Sequence, residues 1–114
     1  MSEPRHAHAP DVPLEEWPIP EGQVRAGDPR AYGCVLHDGE GGSGTGIWEV
    51  TEGSFEWAYD THQSLCVLSG RAEVALQDGP TFALGPGDAV FLPAGTRARW
   101  TVRATLRKVY TTYR

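Results

Sequence analysis

The stretch that decides the fold is residues 85–95, which reads GPGDAVFLPAG. Four apolar residues at 89–92 stand between a Gly-Asp turn and a Pro-Ala-Gly turn, a pattern typical of a short β-strand with a tight turn at each end. Glycine at such turns allows backbone conformations that a Cβ atom disfavours. We therefore predict structural turn positions at Gly87, Asp88, Pro93 and Gly95.

Outward from this stretch, the chain repeats the pattern of short β-rich runs separated by Gly, Pro and Asp. Apolar and polar residues alternate over 55–59, and a tight turn is expected at Ser69-Gly70. No segment carries apolar residues at helical spacing together with a cap, so little helix is expected. The sequence predicts an antiparallel sandwich or barrel. Its further strands are predicted at 64–69, 71–77, 81–84, 97–103 and 105–113.

The N-terminal part differs, because six prolines within residues 1–30 forbid regular ladders. We predict a flexible Pro-rich arm at 1–17 and a single domain at 18–114. The arm and the residues after it offer Leu14, Trp17 and Ile19 for burial on the domain or on a partner. Together with the unpaired strand edges of a small sandwich, this apolar surface predicts a homodimer.

Composition narrows the functional classes. The chain has 114 residues and a net charge of −5, which fits one domain and argues against nucleic acid as a partner. All 15 acidic residues lie at or before Asp88, whereas six of the ten basic residues follow it. We interpret this asymmetry as cross-strand charge pairing, with a basic patch for an anionic ligand as the alternative.

The length of the apolar runs, the first ten residues and the cysteine spacing predict the localisation and the redox state. The longest apolar runs are far too short to cross a bilayer, so no membrane partner is expected. Residues 1–10 lack the apolar run of a secretory signal, so a cytoplasmic location is expected. Cys34 and Cys66 form no CxxC pair and are interpreted as reduced, with Cys66 in the apolar core.

Several blocks together resemble the RmlC-like cupin superfamily. The spacing of Gly87, Pro93 and Gly95 matches its second motif, and Gly70 stands seven residues beyond Gln63, where cupins usually carry a metal-binding Glu. In finer detail the chain resembles small single-domain cupins related to (S)-ureidoglycine aminohydrolase. The blocks that carry this likeness are 46–49, 52–55, 68–70, 87–95, Trp100 and 107–110.

The resemblance implies an all-β, antiparallel jelly-roll barrel of six to eight strands, with a pocket at its mouth and a homodimeric assembly. A metal-binding cupin would supply His-x-His and Glu from the first motif and His from the second. Here the His-x-His positions fall on Glu56 and Ala58, or on Trp57 and Tyr59, depending on the spacer. The second His position is Ala98, and Trp100 follows it on the same face.

These departures predict a degenerate metal site and no cofactor. If a divalent metal does bind, His62, Gln63 and Glu56 are the only plausible donors. Each also has a purely structural interpretation: His62 as an exposed turn residue, Gln63 as a satisfied amide and Glu56 on a solvated strand face. His6-Ala7-His8 is the only His-x-His in the chain, and its Pro-rich surroundings predict exposure to solvent.

The expected ligand pocket combines aromatic and polar side chains, although the aromatic ones could equally be barrel core. Its predicted lining is Trp48, Glu56, Trp57, Tyr59, His62, Gln63 and Trp100. The first functional hypothesis is a cupin that binds a small polar or nitrogenous molecule without a metal, with or without turnover. The second is a metal-dependent hydrolase of a ureido or amide compound, and the third is a structural or regulatory dimer with a closed cavity.

Overall fold

The computed structural model describes residues 3–114, and its regular structure is almost wholly antiparallel β-strand. Among these residues there is no α-helix, only two 3-10 turns at Glu21–Gln23 and Glu40–Gly42. The strands are β1 (Glu15–Glu16), β2 (Val24–Gly27), β3 (Ala31–Asp38), β4 (Gly44–Val50), β5 (Gly53–Ala58), β6 (His62–Leu76), β7 (Thr81–Leu84), β8 (Ala89–Leu92) and β9 (Arg97–Tyr113).

Two long strands, β6 and β9, form the spine of the sheet. They pair antiparallel over nearly their whole length, from His62 opposite Tyr113 to Leu76 opposite Ala98. The other edge of β9 pairs with β5 along its first half and with β4 along its second half, while β7 and β8 pair with β6. The sheet continues through β3 and β1 on one side and β2 on the other. This arrangement confirms the all-β prediction.

Strands β7 and β8 begin and end where the sequence predicts, but the longer runs do not break where expected. The predicted runs 64–69 and 71–77 merge into one strand, β6, which ends at Leu76, and the two C-terminal runs form β9. Gly70 is therefore not a turn that ends a strand. It lies in the strand with φ of +94°, among register shifts between Val67 and Ala72, and an added Cβ would lie 2.1 Å from the Thr105 carbonyl oxygen. Glycine lets β6 bend there while staying paired.

The turns on either side of β8 connect it to the rest of the barrel. Gly87 and Gly95 have φ of +91° and +92°. The Asp88 carboxylate accepts a hydrogen bond from the Gly85 amide at 2.7 Å, which closes the first turn. In the second turn the Gly95 amide donates to the Tyr59 carbonyl at 2.7 Å. The second turn thereby holds the backbone of Tyr59, a residue whose side chain points into the barrel.

The core fills the inside of the curled sheet. Its most deeply buried side chains come from alternate positions of neighbouring strands, and Phe55 and Trp100 stack with their planes 7° apart. The same alternation places Leu65 and Val67 inside and Cys66 outside. The expectation that Cys66 is a core residue is wrong, because its apolar neighbours flank it in sequence but face the opposite side of the strand. Both cysteines are free.

The part of the Pro-rich arm that the structure describes lies against the barrel that follows it. The Arg107 guanidinium donates to the carbonyl oxygens of Ala9 and Val12, and Glu15–Glu16 pairs with β3. The Trp17 ring covers Gly33, where an added Cβ would lie 2.2 Å from the indole. Through these contacts the arm places Trp17 beside the barrel mouth.

The outer face of the barrel carries cross-strand ion pairs. Acidic residues that precede Asp88 meet arginines of β9, as the charge asymmetry predicts. These pairs are Glu56–Arg99, Glu73–Arg103 and Glu49–Arg107. Within residues 3–114, no helix is long and apolar enough to cross a membrane.

Candidate functional site

A cavity of about 410 Å³ opens into the barrel, within the size range of small-molecule sites. Exposed residues from the arm, β3 and the β5–β6 connection surround its mouth, including Trp17, Val35, Asp38 and Asp60. Its inner wall is buried and mostly aromatic. The buried residues that line it are Trp48, Phe55, Tyr59, Gln63, Trp100 and Lys108.

Strand alternation brings these side chains together. On β9, the even-numbered residues from Ala98 to Lys108 point inward, because a strand directs every second side chain to the same face. On β5 the inward residues are Phe55 and Trp57, followed by Tyr59 just past the strand end. Gln63 enters from the start of β6. The inner wall of the cavity is thus built mainly from β4, β5, β6 and β9.

Lys108 is the main charged or potentially charged group of the inner wall. Its side chain is buried, with the residue only 5% exposed, and Nζ donates a hydrogen bond to Oε1 of Gln63 at 3.0 Å. Nζ also lies 4.9 Å and 5.0 Å from the ring centroids of Trp48 and Trp100. Among the described residues it forms no ion pair with a carboxylate. Burial without a counter-charge lowers the pKa of Lys108 to about 7.

A second polar contact fixes the neighbouring wall. The indole N–H of Trp100 donates to the Tyr59 hydroxyl oxygen at 2.9 Å. Burial raises the pKa of Tyr59 far above the usual tyrosine value, so the phenol stays protonated. Because Tyr59 accepts the indole bond, its own O–H remains a donor. Tyr59, Gln63 and Lys108 can therefore all present hydrogen-bond donors to a ligand.

The structure brings together five of the seven residues predicted to line the pocket. Those five are Trp48, Trp57, Tyr59, Gln63 and Trp100. Of the two alternatives for β5, Trp57 and Tyr59 face inward rather than Glu56 and Ala58. The aromatic residues also pack on one another, so they form core and cavity wall at once.

Glu56 lies outside this cavity, contrary to expectation, because β5 turns every second residue to its outer face. Its carboxylate accepts a hydrogen bond from Arg99 at 2.8 Å and forms an ion pair with Arg25 at 3.3 Å. The contact with Arg99, followed by the contact with Arg25, lowers the pKa of Glu56. Glu56 is therefore an ionised surface residue with two arginine partners.

His62 also lies outside the cavity. Its Nδ1 accepts a hydrogen bond from the Ala94 amide at 3.0 Å, which ties the start of β6 to the turn after β8. The ring packs against both Phe91 and Tyr113, with centroids 5.8 Å and 5.5 Å away. His6 and His8 are exposed, as predicted.

The donor chemistry does not fit a divalent metal. Within 3–114 no three His, Cys, Asp or Glu side chains come together in a way that could hold an ion. Of the three suggested donors only Gln63 reaches the cavity, and its Oε1 already accepts from Lys108. First-row metals need several imidazole, thiolate or carboxylate donors, which this wall does not supply.

The prediction from sequence missed Lys108 and Tyr110 as lining residues. Two signals could have found Lys108. It continues the inward alternation that Trp100 begins, with Leu106 between them, and it is the only lysine in the chain. A lysine at an inward strand position needs a reason, because lysine is almost never fully buried unless paired.

Comparison with known proteins places the chain in a family. Residues 38–110 match the EutQ-like cupin domain family. Among curated proteins, acetate kinase EutQ of Clostridioides difficile strain 630 is 27% identical over 70 residues, covering 61% of this chain and 44% of that protein. This chain thus spans less than half the length of that relative.

Solved structures agree on the fold. The EutQ protein of Clostridium difficile superposes with a TM-score of 0.66 at 25% identity, covering 75% of this chain and 68% of the other. A DUF861 family protein from Thermotoga maritima gives 0.57 at 39% identity over 59% and 76%. A DUF861 family protein from Pseudomonas syringae pv. tomato gives 0.79 at 22% identity, covering 90% and 45%, which supports the fold alone. The chain is a jelly-roll cupin and belongs to the EutQ-like cupin domain family.

Proposed function

We propose that this chain binds a small polar molecule in its barrel cavity without a metal ion, and that the ligand presents an oxygen acceptor to Lys108. The observation that carries the proposal is the Lys108–Gln63 pair at the buried wall of an otherwise aromatic cavity. Burying an amine without a counter-charge is costly. A ligand carboxylate would supply that charge, and a carbonyl oxygen would supply an acceptor.

The surrounding groups support the same class of ligand. The Gln63 amide nitrogen and the Tyr59 hydroxyl are further donors, so the wall offers more donors than acceptors to a bound molecule. Flat aromatic faces at Trp48 and Trp100 suit an apolar or planar body. A small carboxylate or carbonyl compound with a short apolar part satisfies both features. The Clostridioides difficile relative is named an acetate kinase, and acetate is a small carboxylate of this class.

The alternative function is metal-dependent hydrolysis of a ureido or amide compound. It would follow from a relationship to (S)-ureidoglycine aminohydrolase. The donor set described above gives it no support, since Glu56 and His62 face outward. Its test is metal content and thermal shift with manganese, zinc, nickel or iron. A chain lacking residues 1–10 removes capture by His6 and His8. About one tightly held metal per chain, lost in Gln63→Ala, would favour the hydrolase.

The direct test of the proposed function is a titration with butyrate, followed by tryptophan fluorescence and by melting temperature. All four tryptophans of the chain line the cavity, so occupancy should change their emission. A ligand that binds only the folded state also raises the melting temperature. Butylamine, a cation of similar size, should produce neither effect.

Two variants on the same strand complete the test. Lys108→Met removes the amine and keeps an apolar side chain, so the butyrate response should disappear. Arg103→Met alters an outward residue that pairs with Glu73, so it should leave the response unchanged. Butyrate at millimolar concentration that changes neither signal, or that acts equally on Lys108→Met, would disprove the proposal.

A further inference from the structure

Lys108 is unusual in sequence as well as in position. Nine of the ten basic residues are arginines, and the single lysine is the one whose side chain lines the buried cavity wall. Arginine stays protonated at every physiological pH, whereas a buried lysine can lose its proton. Lys108 is thus the only side-chain amine of the protein, and it lies where an amine is most readily neutral.

The contacts of Nζ leave it able to act as a nucleophile. A neutral amine has two protons and one lone pair, and one proton is used in the hydrogen bond to Gln63 Oε1. The acceptor is an uncharged amide, which orients the nitrogen without holding it in the ammonium form. The other titratable groups that line the cavity, none of which forms an ion pair with Nζ, are His37, Asp38, Tyr59, Asp60 and Tyr110.

We propose that Lys108 reversibly captures small aldehydes as an imine inside the barrel. This inference rests on the proposed function, because it takes the same cavity as the binding site and narrows its ligands to reactive carbonyl compounds. The nitrogen lone pair adds to the carbonyl carbon and gives a carbinolamine. The carbonyl oxygen then leaves as water with the two protons that Nζ carried, which forms the C=N bond with no change in oxidation state.

The walls favour this capture in three ways. Burial lowers the pKa of Lys108 to about 7, so a large fraction of the amine is unprotonated at neutral pH. The Trp48 and Trp100 rings both lie about 5 Å from Nζ and offer an apolar surface to the aldehyde's carbon chain. Tyr59, which stays protonated, provides a donor within the same wall for the carbonyl oxygen.

The test uses the full chain with butanal at about pH 7 and sodium cyanoborohydride, which reduces an imine to a stable secondary amine. Intact mass spectrometry should show one butyl group added per chain, and peptide mapping should place it on Lys108. The α-amino group of the N-terminus is the only other primary amine of an unblocked chain. Peptide mapping separates its adduct from that of Lys108.

Matched variants test whether imine formation depends on the buried position of Lys108 or occurs at any lysine. Lys108→Arg keeps the positive charge but cannot form the adduct. In Lys108→Arg combined with Arg103→Lys, the single lysine moves to an outward position on the same strand, where Arg103 is 63% exposed. This surface lysine should react at least roughly tenfold more slowly than Lys108 at neutral pH, because it is almost fully protonated.

The outcomes distinguish this inference from the proposed function. If butyrate binds but butanal labels only the N-terminus, or labels the surface lysine as fast as Lys108, the imine inference is overturned and the binding function stands. If neither butyrate nor butanal acts at Lys108, both fail. Adduct formation on Lys108 that butyrate slows by competition supports both.

Discussion

At the scale of single residues, the proposed function depends on the Lys108 amine, which is buried where a positive charge is unfavourable. Lys108 is buried among tryptophans, its hydrogen-bond partner is an uncharged amide, and burial lowers its pKa to about 7. The two ring faces partly compensate by attracting the cation. An uncompensated buried amine destabilises the folded state, which natural sequences tolerate mainly at functional positions.

This placement predicts how stability depends on pH. Between about pH 7 and about pH 9, the unfolded chain carries a proton on Lys108 that the folded chain has increasingly lost, since the folded pKa is about 7 against 10.5 unfolded. The free energy of unfolding should therefore rise with pH in that range, by on the order of 1 kcal/mol per pH unit. Urea denaturation of the wild type minus that of Lys108→Met isolates this slope. Parallel curves for the two proteins would contradict the prediction.

At this scale, the accuracy of the sequence prediction depended on knowing which residues of each strand point inward. Gln63 and Trp100 were found because motif spacing locates them, and both line the cavity. Glu56 and Cys66 were misplaced because neighbouring residue types alone do not tell which face of a strand points inward. Lys108 was missed because a charged residue on a strand is normally interpreted as solvent-facing.

At the scale of elements, the pairing of β6 with β9 holds the barrel together. The two strands pair with each other along nearly their whole length. Strand β6 also pairs with β7 and β8, and strand β9 also pairs with β4 and β5. At Gly70 the two strands approach each other so closely that an added Cβ would lie only 2.1 Å from the Thr105 carbonyl oxygen. Sequence showed a glycine between two apolar runs, which is compatible with either a turn or a bend. The long-range contact with β9 decides between them, and local sequence does not contain it.

The bend predicts an unequal response to alanine among glycines of positive φ. Gly70→Ala combines a disfavoured backbone with a clash against fixed backbone atoms and should destabilise by about 2–4 kcal/mol. Gly87→Ala has the same sign of φ but open space around the added Cβ, so it should cost about 1 kcal/mol. Chemical denaturation of both variants gives the comparison. Equal losses would show that the close approach at Gly70 has no energetic weight.

At the scale of the whole molecule, the edges of the sheet predict association. Strand β8 pairs only with β6, so one of its edges is free among the described strands, and Phe91 on it is 54% exposed. Phe91 also stacks with Tyr113, which extends the apolar surface. A small sheet with such an edge is protected by pairing with a second copy. We therefore expect a homodimer.

Light scattering at micromolar concentration should give twice the chain mass of 12.4 kDa. Phe91→Glu places a charge on the exposed edge and should shift the mass toward the monomer. Arg103→Glu, an outward change on β9, removes the ion pair with Glu73. It should leave the measured mass unchanged. A wild-type protein of single-chain mass would refute the dimer.

The barrel holds one buried side-chain amine, Lys108, which we propose contacts an oxygen atom of a small ligand. Because Lys108 is the only lysine, ¹³C,¹⁵N-lysine labelling gives one set of NMR signals, and the shift of its side-chain ¹³Cε can be followed against pH. We predict a midpoint near 7 in the free protein and a higher midpoint with butyrate, since a bound anion favours the ammonium form. A midpoint near 10.5 that butyrate does not move would contradict the account.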